Sequence, residues 1–393
     1  MTLVFTVNMI YFVTEAGFDP LQMVLIGTTL ELSIFLFEIP TGIVADTISR
    51  KWSVIIGTFL IGCGFILQSL VIAFPLILLA QVLWGIGYTF TSGALQAWIS
   101  DEVGENRAAG LFIKATQWEQ AGGLLAIGLS VLTATIFQIW IPMLLGGLGF
   151  LILGAIMILI MGEFNFHPAQ VPPTRFWLAI PAMAATVKNG FAVIKLRPVL
   201  IRILLVGFFF GLYSEGLDRL WVPHLIERFH LPDQGQASMI GWIGILQAVS
   251  LVISFFAAGL IHRYIEKNTG NRGISGLLTF LAVLLVGSLA LFAFARRIEI
   301  SFIVLILISV IREMIAPLYT AWVNYRLQSE SRATILSLSS QVDAFGQISG
   351  GPLVGIMASN TGIQNGLFLS AILLSPVVGL LFTTPYREPV VLG

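Results

Sequence analysis

The stretch Gly42-Ile-Val-Ala-Asp-Thr-Ile-Ser-Arg-Lys51 places one acid and two bases in a short segment between two apolar runs. The run before it, 21–40, is almost entirely apolar, and another apolar run begins at Trp52. Charged side chains are costly inside a bilayer, so they collect where a chain leaves it. The pattern therefore predicts two membrane-spanning helices joined by a short polar turn.

The whole chain has the composition of a membrane protein. Of its 393 residues, 57% are hydrophobic and 10% are charged, whereas a soluble domain carries about 25% charged residues. The formal net charge is zero, so nothing favours a nucleic-acid partner. The single cysteine, Cys63, excludes a disulfide within the chain. Neither Cys63 nor the scattered histidines show metal-ligand spacing, and we expect no metal or cofactor.

Apolar runs of about 20 residues, the length that crosses a bilayer as an α-helix, recur along the chain. We predict an all-α membrane protein with twelve spans. Span 1 is too short to cross the hydrocarbon core, and no positive charge precedes Arg50 as a signal peptide would require. We expect the natural first helix to begin upstream of Met1, so that span 1 is truncated. The predicted spans are 1–13, 20–45, 52–72, 75–99, 108–134, 137–161, 199–224, 237–263, 274–295, 300–325, 333–358 and 363–384.

Basic residues divide unequally between the two sides of the predicted membrane. Fifteen fall on one side, and only Arg228, Arg296 and Arg297 fall on the other. Cytoplasmic loops are the ones enriched in lysine and arginine. We therefore expect a multi-pass protein of a bacterial plasma membrane, with both termini in the cytoplasm.

Two halves of the chain repeat each other. The segments 105–107 and 117–119 recur as 330–332 and 341–343, and the opening stretch recurs around 259–267. Each match falls in the equivalent loop, so chance is a poor explanation. We predict two six-helix halves in the same orientation.

The predicted boundaries follow from these repeats. The halves are 1–161 and 199–393, and a cytoplasmic linker at 162–198 joins them. The linker begins with several prolines and continues with aromatic and basic residues, which is typical of an amphipathic helix lying at a membrane surface.

These features together resemble the major facilitator superfamily of secondary transporters, and most of all its multidrug-type efflux members. The resemblance covers essentially the whole chain, and its most specific element is Gly42, Asp46, Arg50 and Lys51 after span 2. It implies a cytoplasmic gate in which Asp46 accepts hydrogen bonds at a helix N-terminus of the other half, while Arg50 holds Asp46 in place. The alternative is that the two bases only fix the membrane topology.

Charged residues inside the spans are candidate functional groups, because each costs free energy in lipid. Glu119 and Asp343 are the most informative, since they are repeat-equivalent and lie near the midplane. Loss of water favours the protonated form of a carboxyl group, so either could carry a proton, or instead bind substrate. A carboxyl group satisfied by a neighbouring helix is the alternative. The candidate coupling and cavity residues are Glu31, Glu119, Glu215, Asp218, Arg219, Arg312, Glu313 and Asp343.

The charged residues of spans 7 and 10 raise the question of pairing. Glu215 and Arg219 lie four residues apart and can pair on one helix face, as part of an outer gate or as a structural ion pair. Arg312 and Glu313 are adjacent and point apart. We therefore expect Arg312 to find a partner elsewhere, at Asp343 or Glu119.

The balance of these charges bears on the substrate. Seven acids lie within the spans, together with Arg219 and Arg312, the two bases that are not counted with either side of the membrane. A cavity lined by these groups favours cationic or neutral substrates over anions. We predict secondary active transport by alternating access, as proton-coupled efflux of small lipophilic neutral or cationic compounds. A proton symporter that imports a neutral nutrient such as a sugar is the alternative.

Other classes of protein fit less well. Catalytic and nucleotide-binding motifs are missing from the sequence, so we do not expect an enzyme. The expected partners are a small-molecule substrate, a proton and the lipid bilayer, and the expected state is a monomer.

Overall fold

The computed structural model describes residues 1–168, 198–229, 236–267, 271–324 and 329–382. All regular elements within these ranges are helices. In chain order they are α1 Thr2–Phe5, α2 Asn8–Thr14, α3 Pro20–Thr47, α4 Arg50–Leu70, α5 Phe74–Thr91, α6 Ala94–Val103, α7 Glu105–Ile136, α8 Ile141–Ile160, α9 Pro198–Phe229, α10 Gln236–Lys267, α11 Asn271–Phe294, α12 Ile298–Asn324, α13 Ser329–Thr361, α14 Ile363–Leu374 and α15 Pro376–Phe382.

The helices lie where the apolar runs predicted them. Within the described ranges, nine helical segments are long and apolar enough to cross a membrane, judged by length and composition. The three other predicted spans are also helical, as the shorter apolar segment Thr2–Thr14, α12 and α13. Every backbone N–H and C=O inside such a helix finds its partner within the same segment, which is what a bilayer demands.

Some predicted spans are interrupted. Span 1 is divided between α1 and α2, and span 4 between α5 and α6. The second break falls at Gly93, whose φ of +68° is readily adopted only by glycine. The chain therefore changes direction there without leaving an apolar run, which hydropathy alone does not reveal.

The chain divides into two compact units. Among the described residues, the N-terminal unit contains 1–18 and 29–168, and the C-terminal unit contains 19–28 and the residues from 198 onward. The first part of α3 thus packs within the C-terminal unit. The amphipathic helix predicted in the linker 162–198 lies outside the described residues, apart from 162–168, which are not helical.

Glycines allow the helices of the N-terminal unit to touch through their backbones. A Cβ built on Gly57 of α4 would lie 2.5 Å from the carbonyl oxygen of Gly87 in α5. A Cβ on Gly62 of α4 would lie 2.9 Å from the carbonyl oxygen of Gly147 in α8. Close packing of small residues is a main source of helix association in membranes, where lipid tails are as apolar as the side chains.

The same device joins α9 and α13 in the C-terminal unit. A Cβ on Gly211 would lie 2.0 Å from the carbonyl oxygen of Asp343, and one on Gly350 would lie 1.9 Å from that of Leu212. The two helices therefore run in backbone contact at this level. This contact places the Asp343 main chain directly against α9.

Candidate functional site

A cavity of about 530 Å³ opens within the C-terminal unit, between α9, α12 and α13. Its volume falls in the range of small-molecule sites, about 300–1,000 Å³. Aromatic, hydroxyl, amide and charged side chains share its wall. The aromatic, polar and charged residues among them are Phe210, Tyr213, Ser214, Arg312, Tyr319, Thr320, Ser339, Ser340, Asp343 and Gln347.

The arginine of the cavity is paired. Arg312 donates from both terminal nitrogens to the two carboxylate oxygens of Asp218, and the Nη2–Oδ2 distance is 2.8 Å. Such a two-pronged pair is the strong form of an arginine–carboxylate contact. The prediction of Asp343 or Glu119 as the partner of Arg312 is wrong, because Asp218 on the facing helix α9 already occupies both nitrogens.

Asp343 is the carboxylate in the cavity wall. It is half-buried, and its Oδ2 accepts a hydrogen bond of 2.9 Å from Nε2 of Gln347, one helical turn further along α13. Ser339 lies one turn before it. The spacing 339, 343, 347 repeats every four residues and puts all three side chains on one face of α13. This polar stripe is a signal from which the cavity wall could have been found in the sequence.

A hydroxyl pair spans the cavity wall between α12 and α13. The Tyr319 hydroxyl donates to the carbonyl oxygen of Ile203 at 2.9 Å and lies 2.6 Å from Oγ of Ser339. A phenol has one proton, so Ser339 donates to the Tyr319 oxygen. Tyr319 lies seven residues after Arg312, two turns on and on the same helix face. Tyr319 was not among the predicted site residues, although its spacing from Arg312 indicates a place on the same helix face.

Two other charged residues of α9 form a separate, buried pair. Arg219 Nε donates to Glu215 Oε1 at 2.7 Å, which confirms the predicted pairing, and the two residues are 9% and 2% exposed. The pair lies on Gly27 at the start of α3, where a Cβ would come within 1.4 Å of Glu215 Oε1. Neither residue lines the cavity. Asp218, the neighbour of Arg219 in the sequence, pairs instead with Arg312 of α12.

Three predicted site residues lie away from this cavity in the described part of the chain. Glu119 is exposed on α7, Glu313 is exposed beside Arg312, and Glu31 is half-buried in α3. Glu31 has interactions of its own. No group of three His, Cys, Asp or Glu side chains that could hold a metal ion occurs among the described residues.

The polar turn of the opening stretch is held from several sides in the N-terminal unit. Arg50 Nη2 lies 3.4 Å from Asp46 Oδ1, while Nη1 donates to the Asp101 carboxylate and to the Ala97 carbonyl oxygen. The Asp46 side chain remains 59% exposed. Gly42 has open space around its Cα, so no close contact requires a glycine there. Asp101 at the end of α6 is thus a closer partner of Arg50 than Asp46 is.

A second carboxylate that the sequence analysis missed anchors the start of α4. Glu163 accepts hydrogen bonds from Oγ of Ser49 at 2.6 Å and from the backbone N–H of Lys51 at 2.9 Å. A negative charge at a helix N-terminus satisfies free N–H groups and is favoured by the helix dipole. Glu163 and Asp101 both fall outside the predicted spans, where acids are usually solvated. Nothing in the sequence pattern separated them from such residues.

Comparisons with known proteins agree with this architecture. The family model described as Major Facilitator Superfamily matches residues 1–342. YxaM of Bacillus subtilis (strain 168), an uncharacterized MFS-type transporter, is 24% identical over 386 residues, which are 95% of this chain and 90% of that protein. The nucleoside transporter NupG has a similar structure, with a TM-score of 0.75 and 16% identity over 98% of this chain and 96% of that one. A bacterial homologue of the human lysosomal transporter Spinster follows, with a TM-score of 0.73 and 14% identity over 97% and 94%.

Proposed function

Because the chain belongs to the Major Facilitator Superfamily of membrane transporters, we propose that it exports small lipophilic neutral or cationic compounds in exchange for protons. The family and its twelve-helix, two-half fold make the protein a transporter rather than an enzyme. The cavity of the C-terminal unit forms part of the substrate route, and the transporter works as a monomer. Asp343 is the group that releases a proton when substrate binds.

One observation carries this proposal: the Asp343 carboxylate lines a cavity of small-molecule size and forms no ion pair with a basic side chain of the described residues. Its hydrogen bond comes from the neutral amide of Gln347. The nearby cation Arg312 is engaged by Asp218. A carboxyl group in such a place can bind either a proton or the positive end of a substrate. Competition between the two for one site is the simplest way to couple opposite movements.

The polar turn supports a gating role within the same cycle. We propose Asp46 as the gate residue, because its carboxylate is largely exposed while Arg50 is retained by Asp101. Gly42 in α3 and Lys51 at the start of α4 belong to the same motif. The excess of basic residues on this side of the membrane supports a cytoplasmic location for the gate and for both termini.

The test is proton movement in everted bacterial membrane vesicles whose lumen has been acidified. Lipophilic amines and neutral aromatic compounds are added outside, and the pH inside is followed with a fluorescent dye. An exporter moves the compound inward and releases protons from the lumen. The Asp343→Asn variant is expected to lose this release, because an amide cannot carry the proton. Glu119→Gln tests the repeat-equivalent acid in the same way.

The matched control is Glu299→Gln, the same loss of a carboxylate at an exposed position in the first turn of α12. It should respond as the unchanged protein does. Proton release that persists in Asp343→Asn would remove Asp343 from the coupling role. Failure of every compound to release protons, with the protein present in the membrane, would contradict export.

A second candidate is proton-coupled import of a neutral, hydroxyl-bearing nutrient. The hydroxyl groups of Ser214, Thr320 and Ser339 in the cavity wall favour it, and NupG is a nucleoside transporter. In the same vesicles a symporter releases protons only when the nutrient is loaded inside, since both then leave together. Loading the vesicles with sugars or nucleosides therefore separates the two directions.

A further inference from the structure

We propose that the cavity selects its substrates by charge, taking planar compounds that carry one protonated amine, and that Asp218 is the residue that excludes anions. The inference rests on the proposed transport function and names the substrate class of the same cavity. Asp218 acts through another residue: by neutralising Arg312, it leaves the cavity with a net negative charge.

The first step is the charge of the cavity wall. Arg312 alone would attract carboxylates, since a guanidinium presents paired donors that match carboxylate geometry. Both of its terminal nitrogens are turned to Asp218, which is anchored on α9 opposite. The cation and the anion cancel. Among the described residues of the wall, the charge left without an ion pair is the carboxylate of Asp343.

The second step is the position of that remaining charge. Asp343 Oδ2 takes one hydrogen bond from Gln347, and a carboxylate has room for several. The main chain of Asp343 lies in close contact with Gly211, and this contact fixes the position of the carboxylate relative to α9. An ammonium group brought into the cavity gains a charge-assisted hydrogen bond there, and such bonds are about twice as strong as neutral ones.

The third step is the shape of the ligand body. Phe210, Tyr213 and Tyr319 line the cavity, and the rings of Phe210 and Tyr319 lie edge-to-face with centroids 6.0 Å apart. Aromatic walls favour flat apolar bodies and also attract cations over their faces. A flat ring bearing an amine therefore satisfies both parts of the wall.

The experiment is equilibrium binding to the purified full chain in lipid nanodiscs, measured by isothermal titration calorimetry. The probes are one-ring and two-ring aromatic compounds, each as its methylamine, its methanol and its carboxylate. The amines are expected to bind at least about tenfold more tightly than the alcohols of the same ring, as expected of a charge-assisted contact. The carboxylates are expected to bind most weakly. Equal affinity of amines and alcohols would overturn the inference.

Variants test the role given to Asp218. Asp218→Asn frees Arg312 and is expected to improve carboxylate binding by about tenfold, as for a hydrogen bond to a charged group. The double variant Asp218→Asn with Arg312→Gln removes the pair and leaves the overall charge of the site as it was. It should again reject carboxylates, because the cation that Asp218→Asn leaves unpaired is gone. Carboxylate binding that stays weak in a folded Asp218→Asn protein would remove Asp218 as the determinant.

The third variant fixes the role of Asp343. In Asp343→Asn, the affinity for each amine should equal that for the alcohol of the same ring. Binding at equilibrium needs no proton gradient. If the amines bind more tightly than the alcohols but no compound releases protons from vesicles, only the proposed function is overturned. If compounds release protons but amines and alcohols bind equally well, only this inference is overturned.

Discussion

The buried pair of Glu215 and Arg219 allows a prediction of how much stability the protein loses when one partner is removed. Both side chains are nearly fully buried. Removing one member of such a pair costs about 3–5 kcal/mol, since the other charge is left in a medium of low polarity. We expect Arg219→Gln to lower the midpoint of thermal unfolding of the purified protein by several degrees, because Glu215 then loses its donor.

The control for this prediction is Arg228→Gln, the same change at an exposed position of α9. Its hydrogen bonds are long, at 3.3 Å, and face water, so its midpoint should shift far less. The double variant Glu215→Gln with Arg219→Gln should recover part of the loss. Equal shifts for the two arginine variants would contradict the buried-pair argument.

Sequence reasoning at the scale of single residues succeeded only for local pairs. Glu215 and Arg219 are four residues apart on one helix, and helix geometry alone predicts their contact. Arg312 and Asp218 are 94 residues apart, on different helices. Their pairing depends on how α9 and α12 pack, which no spacing rule contains. For the same reason the exposure of Glu119 had to come from the structure.

At the scale of helices, the contact between α9 and α13 determines where Asp343 lies. A Cβ on Gly211 would lie 2.0 Å from the Asp343 carbonyl oxygen, far inside contact distance. Gly211→Ala therefore forces the two backbones apart and displaces Asp343. We expect this variant to lose most of its compound-driven proton release in everted vesicles, although the substitution adds a single methyl group.

The matched control is Gly287→Ala in α11, whose Cβ would meet nothing within 4 Å. Alanine is a better helix former than glycine by about 1 kcal/mol, so this variant should be as active as the unchanged protein and at least as stable. If Gly211→Ala and Gly287→Ala transport equally well, the close approach of α9 and α13 is not what positions Asp343.

The helices themselves could be predicted because length and hydropathy are properties of whole segments. Each of the predicted spans is helical in the described structure, with ends that differ by a few residues. The breaks within spans 1 and 4 were not predictable in this way. The break at Gly93 lies within a continuous apolar run. Hydropathy, from which the span was predicted, therefore does not reveal the break.

The architecture of the whole molecule was accessible from the sequence for a different reason. Repeated motifs that recur in the same order and at similar offsets indicate that two segments share one fold, whatever side chains they carry. The same independence from side chains is why transporters with very different sequences share this fold. It is also why the fold does not name the substrate, which depends on a few groups such as Asp343, Arg312 and Asp218.

The sequence also predicts the orientation of the whole molecule in the membrane, and cysteine labelling can test it. The excess of basic residues on one side requires that the segment after α8 faces the cytoplasm and that the loop between α11 and α12 faces outward. His167 and Arg296 are exposed representatives of these two places. In a Cys63→Ser background, Arg296→Cys should react with a membrane-impermeant maleimide in intact cells, and His167→Cys only after the cells are opened. Replacing Arg296 removes a base from the outer side, so the variant does not work against the predicted orientation. Labelling of His167→Cys in intact cells would reverse the topology, and with it the direction of transport inferred from everted vesicles.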